Sequence, residues 1–135
     1  MVTNHMIKVL IVDDTVAIQD FITLYLTGNG YEVETADTKN EVDTRLKKFH
    51  PDVILLDVRL NGEDGREICK EIKSRTLDKP VYIVLISASR EYLEHYVECS
   101  ADGYIEKPFD MKHFLKIIEG HINPSKKSLL EKNNL

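Results

Sequence analysis

Short apolar runs alternate with longer amphipathic stretches along most of the chain. The runs are brief and mostly rich in β-branched residues, which is typical of buried strands. Five strands are predicted in this way, at residues 7–12, 31–36, 53–56, 81–86 and 103–105. Strands that are apolar throughout favour a parallel sheet covered on both faces, and therefore an α/β fold.

A helical repeat of apolar positions follows each predicted strand. Thr15 is a suitable N-cap for the first helix, and Gly28-Asn29-Gly30 is a suitable end for it. The apolar positions of the five helices are Ala17, Ile18, Phe21, Ile22, Leu24 and Tyr25; Val42, Leu46 and Phe49; Ile68, Cys69 and Ile72; Tyr92, Leu93, Tyr96 and Val97; and Phe114, Leu115, Ile117, Ile118 and Ile122.

Composition narrows the class of protein. The 135 residues fit one domain, and 42% apolar residues are enough to fill its core. We predict a domain over residues 7–122 and a flexible tail over residues 123–135. The net charge of -5 argues against binding to nucleic acid or to an anionic membrane surface. No apolar run approaches the roughly 18 residues that span a bilayer, and residues 1–6 lack the features of a signal peptide, so we expect a cytoplasmic protein.

The cysteines and histidines indicate no metal site. Cys69 and Cys99 are too few for a disulfide framework and form no CxxC pair, so we expect buried free thiols. The five histidines lack metal-ligand spacing, so we interpret them as surface residues. They are His5, His50, His95, His113 and His121.

Polar residues follow four of the predicted strands. Asp13 and Asp14 come after the first strand, Asp57 after the third, Ser87 after the fourth and Lys107 after the fifth. Because the carboxyl ends of parallel strands meet at one edge of a sheet, we expect these side chains to converge there.

Such a group of side chains favours phosphoryl chemistry. Crowded carboxylates repel one another, and a hard divalent cation such as Mg²⁺ removes that repulsion. The Lys107 ammonium and the Ser87 hydroxyl could then bind a phosphoryl group. Asp57 facing such a site is a plausible nucleophile toward phosphorus.

The set Asp13-Asp14, Asp57, Ser87 and Lys107-Pro108-Phe109 resembles the response-regulator receiver domains of two-component systems. The resemblance covers roughly residues 7–122. It implies a flavodoxin-like three-layer sandwich with five helices and a five-stranded parallel sheet in the order 2-1-3-4-5. It also implies a cis bond between Lys107 and Pro108.

The resemblance implies a role for each matching residue. Asp57 would accept the phosphoryl group, which Ser87 and Lys107 would bind. Asp13, Asp14, Asp57 and the backbone carbonyl of Arg59 would hold Mg²⁺. Tyr104 matches the switch aromatic of the family.

Some positions depart from the usual pattern of the family or vary within it. Asn61 and Glu63 stand where the family often has proline and methionine, which leaves the stiffness of this loop open. Arg59 and Ser89 occupy variable positions that, in this family, influence how long the phosphoryl group survives.

The function implied is a phosphorelay switch, not a turnover enzyme. A histidine kinase or a histidine phosphotransfer protein would phosphorylate Asp57, and the domain would hydrolyse the acyl phosphate itself. A downstream protein would bind the face made by the fourth helix, fifth strand and fifth helix, on a monomer or a phosphorylation-linked dimer. Candidate contact residues on that face are Glu91, His95, Tyr104 and His113.

Two alternatives stay open, and a third, a flavin-binding electron carrier, is set aside. A stand-alone receiver is expected, but the chain could be a receiver cut from a larger regulator. An aspartate-based phosphohydrolase would usually carry an acidic residue two positions after its nucleophile, where this chain has Arg59. A flavin-binding electron carrier would need a phosphate loop where Asp13 and Asp14 stand.

Overall fold

The computed structural model describes residues 6–122, and its centre is a five-stranded parallel sheet. The strand bounds are β1 Lys8–Val12, β2 Glu32–Ala36, β3 Val53–Asp57, β4 Arg59–Leu60, β5 Glu63–Asp64, β6 Tyr82–Ser87 and β7 Gly103–Glu106. The order of the strands in the sheet is β2-β1-β3-β6-β7, which confirms the predicted order once the two short strands β4 and β5 are left out of the count. Strands β4 and β5 form an antiparallel hairpin directly after β3.

Helices cover both faces of the sheet. Their bounds are α1 Val16–Gly28, α2 Lys39–Lys48, α3 Gly65–Ser74, α4 Arg90–Leu93 and α5 Met111–Ile122, with a 3-10 helix at Tyr96–Cys99. Alternate residues of each central strand face opposite sides, so Leu10 and Val12 pack with α2 and α3, while Val9 and Ile11 pack with α1 and α5. The predicted three-layer α/β sandwich is therefore confirmed.

The fourth helix is shorter than its apolar pattern predicts. Helix α4 ends at Leu93, because His95 adopts a non-helical backbone with φ -109° and ψ 32°. The 3-10 helix that follows is closed by Ser100 in a left-handed conformation with φ 65°. The break buries Leu93 and Cys99 against the same core as α3.

The apolar positions of α1 are not all buried. Ile22 and Leu26 are buried, but the side chain of Phe21 is 62% exposed and that of Leu24 is 76% exposed. Thr15 is the N-cap residue as predicted, but its side chain forms no capping hydrogen bond. The helical spacing was therefore right, and the core uses only part of the apolar stripe.

The remaining expectations concern cysteines, histidines and the chain ends. Cys69 and Cys99 are buried free thiols, as expected. His121 is half-buried against the Tyr82 ring, so it is not the surface residue that was expected. The predicted tail, residues 123–135, lies outside the described residues. Within the part that is described, no helix is long and apolar enough to cross a membrane.

Candidate functional site

Three polar side chains are buried among the described residues, and all of them belong to the predicted site. Asp13 is 2%, Asp57 7% and Ser87 3% exposed. They lie at the carboxyl ends of β1, β3 and β6, next to one another in the sheet. Burying a polar or charged group is costly unless it is paired and hydrogen-bonded, so this concentration at one edge makes it the candidate functional site.

The three carboxylates form one cluster. Asp13, Asp14 and Asp57 each offer an oxygen, and these oxygens all lie within 4.8 Å of one another. Carboxylate oxygens are the ligands that Mg²⁺ prefers, and a few of them within reach of one ion are typical of its sites. The donor set therefore fits the predicted metal, with the Arg59 carbonyl as a further predicted ligand.

Backbone amides orient these carboxylates. The amide of Thr15 donates to Asp13 Oδ1 at 2.8 Å, and that of Arg59 donates to Asp57 Oδ1 at 3.0 Å. The amide of Asn61 donates to Asp14 Oδ2 at 2.9 Å. Each acid thus has one oxygen held by a neighbouring loop, which holds the cluster together before any ligand binds.

Lys107 is the cation of the site. Its Nζ donates to Asp57 Oδ2 at 2.8 Å and to Asp13 Oδ2 at 3.3 Å. Burial alone would lower the pKa of Lys107, but its contacts with Asp57 and Asp13 outweigh burial, and the pKa is raised. The Lys107–Pro108 bond is cis, as the resemblance implied, and the Lys107 amide donates to the Ser87 carbonyl at 2.8 Å.

One ammonium does not balance three carboxylates. Burial raises the pKa of the Asp57 carboxyl, although the Lys107 ammonium and the Arg59 amide act in the opposite direction. The crowding of three acids around one ammonium thus makes the charged carboxylates costly, and a bound cation would offset that cost.

A cavity of about 410 Å³ opens over Asp57. It is lined by Asp14, Asp57, Arg59, Ser87, Ala88, Ser89 and Lys107. Ser87 Oγ accepts a hydrogen bond from the Ser89 amide at 3.0 Å, which ties the site to the loop before α4. The predicted nucleophile and phosphoryl ligands therefore share one space open to solvent.

Tyr104 does not line this cavity. It lies on β7 beside Leu85 of β6, and its side chain is 47% exposed. Its ring packs against Tyr96 with centroids 4.9 Å apart. The predicted contact residues Glu91, His95 and His113 are also exposed.

Two supporting residues were missed by sequence reasoning. Gly65 packs so closely on Asp57 that a Cβ would lie 2.1 Å from the Asp57 carbonyl oxygen. The side-chain amide of Gln19 donates to the carbonyls of Asp13 and Ala36. A glycine closing a loop after Asp57 was a usable signal, whereas nothing in the sequence pointed to Gln19.

The model of the response regulator receiver domain family matches residues 9–119. The chain belongs to this family. A receiver domain is a signalling switch of two-component systems, and receiver domains generally bind Mg²⁺ at an acidic pocket such as the one formed here by the three aspartates. They interact with histidine kinases or phosphotransfer proteins and with downstream effectors.

Solved structures agree with this assignment. The receiver domain is 32% identical to the chemotaxis protein CheY4 of Vibrio cholerae, with a TM-score of 0.77 over 85% of this chain and 98% of that one. It is 28% identical to a CheY-like receiver domain protein of Methanospirillum hungatei, with a TM-score of 0.79 over 92% and 99% of the two chains. NtrX of Brucella abortus is 25% identical with a TM-score of 0.79, but 97% of this chain matches only 30% of that longer protein.

Proposed function

We propose that this receiver domain accepts a phosphoryl group on Asp57 from a phosphohistidine donor, in a magnesium-dependent reaction, and then changes a protein-binding face. One observation carries the proposal: the buried Asp57 carboxylate lies 2.8 Å from Lys107 Nζ, inside the three-acid cluster and open to the cavity. These groups can bind the reacting phosphoryl group, and Lys107 can offset its negative charge.

In the proposed reaction, an Asp57 carboxylate oxygen attacks phosphorus while the bond to the donor imidazole nitrogen breaks, and the imidazole leaves with the electron pair. Lys107 Nζ and the Ser87 hydroxyl donate to phosphoryl oxygens as charge develops on them. The Arg59 amide keeps the carboxylate oriented through Oδ1. A magnesium ion, when bound by the aspartates and the Arg59 carbonyl, supplies positive charge to the carboxylates and the phosphoryl oxygens.

The donor histidine is proposed to belong to another protein. Within residues 6–122, His50, His95, His113 and His121 do not line the cavity over Asp57. A histidine kinase or a histidine phosphotransfer protein fits this requirement, and the cytoplasm, where such donors work, stays the predicted location.

The site does not favour an enzyme that hydrolyses phosphate esters as substrates. A phosphohydrolase of the aspartate class would use an acidic residue two positions after the nucleophile, and the chain has the exposed Arg59 there. We propose slow hydrolysis of the domain's own acyl phosphate as the only hydrolytic step.

The test of the proposal is phosphorylation by a small acyl phosphate in the presence of magnesium. We expect Asp57→Asn to remove phosphate incorporation, as measured by intact-protein mass, because the nucleophilic carboxylate is lost. Asp20→Asn, on the exposed side of α1, should retain the incorporation of the parent. Parent-level labelling of Asp57→Asn at another residue would contradict the assignment.

A further inference from the structure

Arg59 lines the cavity over Asp57, but its guanidinium lies on a tyrosine of α4. Its Nη2 donates to the hydroxyl of Tyr92 at 2.9 Å, and its Cζ lies 5.1 Å from the centroid of the Tyr92 ring. A guanidinium near the ring of a tyrosine is also attracted by the π-electrons. Two interactions thus hold the side chain of Arg59 on α4.

The backbone of Arg59 is fixed, so only the side chain is free to choose a partner. The amide of Arg59 donates to Asp57 Oδ1 at 3.0 Å, and the residue pairs with Asp64 in the β4–β5 hairpin. A phosphoryl group on Asp57 would therefore form two residues away from a long, exposed cationic side chain. The guanidinium is close enough to reach such a group, because Arg59 lines the same cavity as Asp57, Ser87 and Lys107.

A second arginine near the same ring shows what is unusual about Arg59. The Arg66 guanidinium lies 4.7 Å from the centroid of the Tyr92 ring, but it is ion-paired with Asp64 at 2.8 Å. Within residues 6–122, Arg59 forms no salt bridge with a carboxylate. Its present partner is a neutral phenol, and a phosphoryl dianion is a stronger partner for a guanidinium.

We propose that Tyr92 is a positioning residue for Arg59: it holds the guanidinium on α4 in the unphosphorylated domain, and a phosphoryl group on Asp57 competes for it. This inference rests on the proposed role of Asp57 as the phosphoacceptor. When the guanidinium of Arg59 moves from Tyr92 to the phosphoryl group, it shields that group from attacking water and leaves the Tyr92 hydroxyl without this partner.

The transfer also changes the attachment of α4 to the site. The start of α4 is tied to the cavity twice, through the Ser89 amide on Ser87 Oγ and through Arg59 on Tyr92. A phosphoryl group on Asp57 competes for both Ser87 and Arg59. Arg59 and Tyr92 therefore form a second route, beside Ser87, from the phosphorylation site to α4.

The test is a double-mutant cycle with Tyr92→Phe, Arg59→Ala and the double variant, measuring the affinity for beryllium fluoride in magnesium and the decay of the acyl phosphate. Because Tyr92→Phe removes a hydrogen bond present only in the resting state, it should tighten beryllium fluoride binding about twofold to tenfold and slow the decay. In the Arg59→Ala background it should change neither quantity. Tyr82→Phe, at the opposite end of β6 from Ser87, is the matched control and should behave like the parent.

Each other result has a defined meaning. An equal effect of Tyr92→Phe in both backgrounds would overturn the inference, because Tyr92 would then act without Arg59. Weaker beryllium fluoride binding in Tyr92→Phe would overturn it as well. If the parent itself bound no beryllium fluoride, the proposed function would fail together with this inference, whereas tight binding by the parent with an additive cycle would leave the proposed function standing.

Discussion

At the scale of single residues, the two oxygens of Asp57 have different partners. Oδ1 accepts the backbone amide of Arg59, and Oδ2 accepts Lys107 Nζ. The amide contact can persist while the Lys107 ammonium turns to an incoming phosphoryl group. In the proposed reaction, the backbone donor would thus keep the carboxylate in place while the side-chain donor binds the phosphoryl group.

The acidic cluster predicts how magnesium binding responds to mutation. Asp13→Ala and Asp14→Ala each remove one carboxylate from a group whose oxygens lie within 4.8 Å of one another, so both should weaken magnesium binding clearly. Titration calorimetry would measure the change, with Asp20→Asn as the control. Unchanged titration curves in both alanine variants would contradict a metal site here.

The close approach of Gly65 to Asp57 predicts a steric effect. In Gly65→Ala, the new Cβ would lie 2.1 Å from a backbone oxygen that cannot move aside easily. We expect a loss of at least about 2 kcal/mol in the free energy of unfolding and a disturbed loop after Asp57.

Urea denaturation of both variants would check this, with Gly28→Ala as the control. A Cβ at Gly28 meets nothing within 4 Å, so that variant should be close to the parent. Equal stability of Gly65→Ala and Gly28→Ala would mean that the loop adapts without cost.

At the scale of elements, the sequence was sufficient for the strands and less so for the helices. The five main strands and their polar ends follow from local apolar runs, because a strand covered on both faces must be apolar throughout. The break after Leu93 was not predictable, since the apolar spacing of Tyr96 and Val97 fits a continuous helix, and tertiary packing of Cys99 decides the outcome.

The same limit applies to α1 and to supporting contacts. Periodicity identifies the apolar stripe of a helix, but neighbouring elements determine which members of it are covered. Phe21 and Leu24 therefore stay exposed, although they belong to the same predicted set of apolar positions as the buried Ile22. Contacts such as that of Gln19 with two carbonyls depend on distant chain segments and leave no local pattern.

The exposed Tyr104 ring predicts where the structure should respond to a phosphate mimic. Tyr104 is 47% exposed on β7 and packs on Tyr96, so it can turn inward if Ser87 moves toward a phosphoryl group. We expect beryllium fluoride with magnesium to shift the amide resonances of α4, β7 and α5 and to make Tyr104 less accessible. Amide changes confined to residues around Asp57 would place the output surface elsewhere. An Asp57→Asn sample with the same additives is the control.

At the scale of the whole molecule, the apolar cores lie on both faces of the sheet and the buried charges lie at one edge. The middle of each central strand thus contributes to the apolar cores, whereas its carboxyl end contributes to the candidate site. A change deep in either core should alter unfolding first, and a change at the edge should alter ligand binding first.

The crowding of acids at this edge predicts a link between metal and stability. In metal-free buffer, Asp14→Asn relieves repulsion while keeping an acceptor for the Asn61 amide, so it should unfold at a higher urea concentration than the parent. Magnesium should stabilise the parent more than this variant, because a ligand that binds only the folded state favours it. Asp20→Asn is the control, and a less stable Asp14→Asn in metal-free buffer would contradict the explanation.

The three-acid cluster has a further consequence for how such a chain can change over generations. A residue that relieves crowding at this edge improves folding and at the same time removes a ligand of the proposed site, so selection for robustness and selection for signalling act in opposite directions there. Redesign guided by folding alone would therefore favour neutral residues at Asp13, Asp14 and Asp57 and would produce a more stable protein without the proposed site.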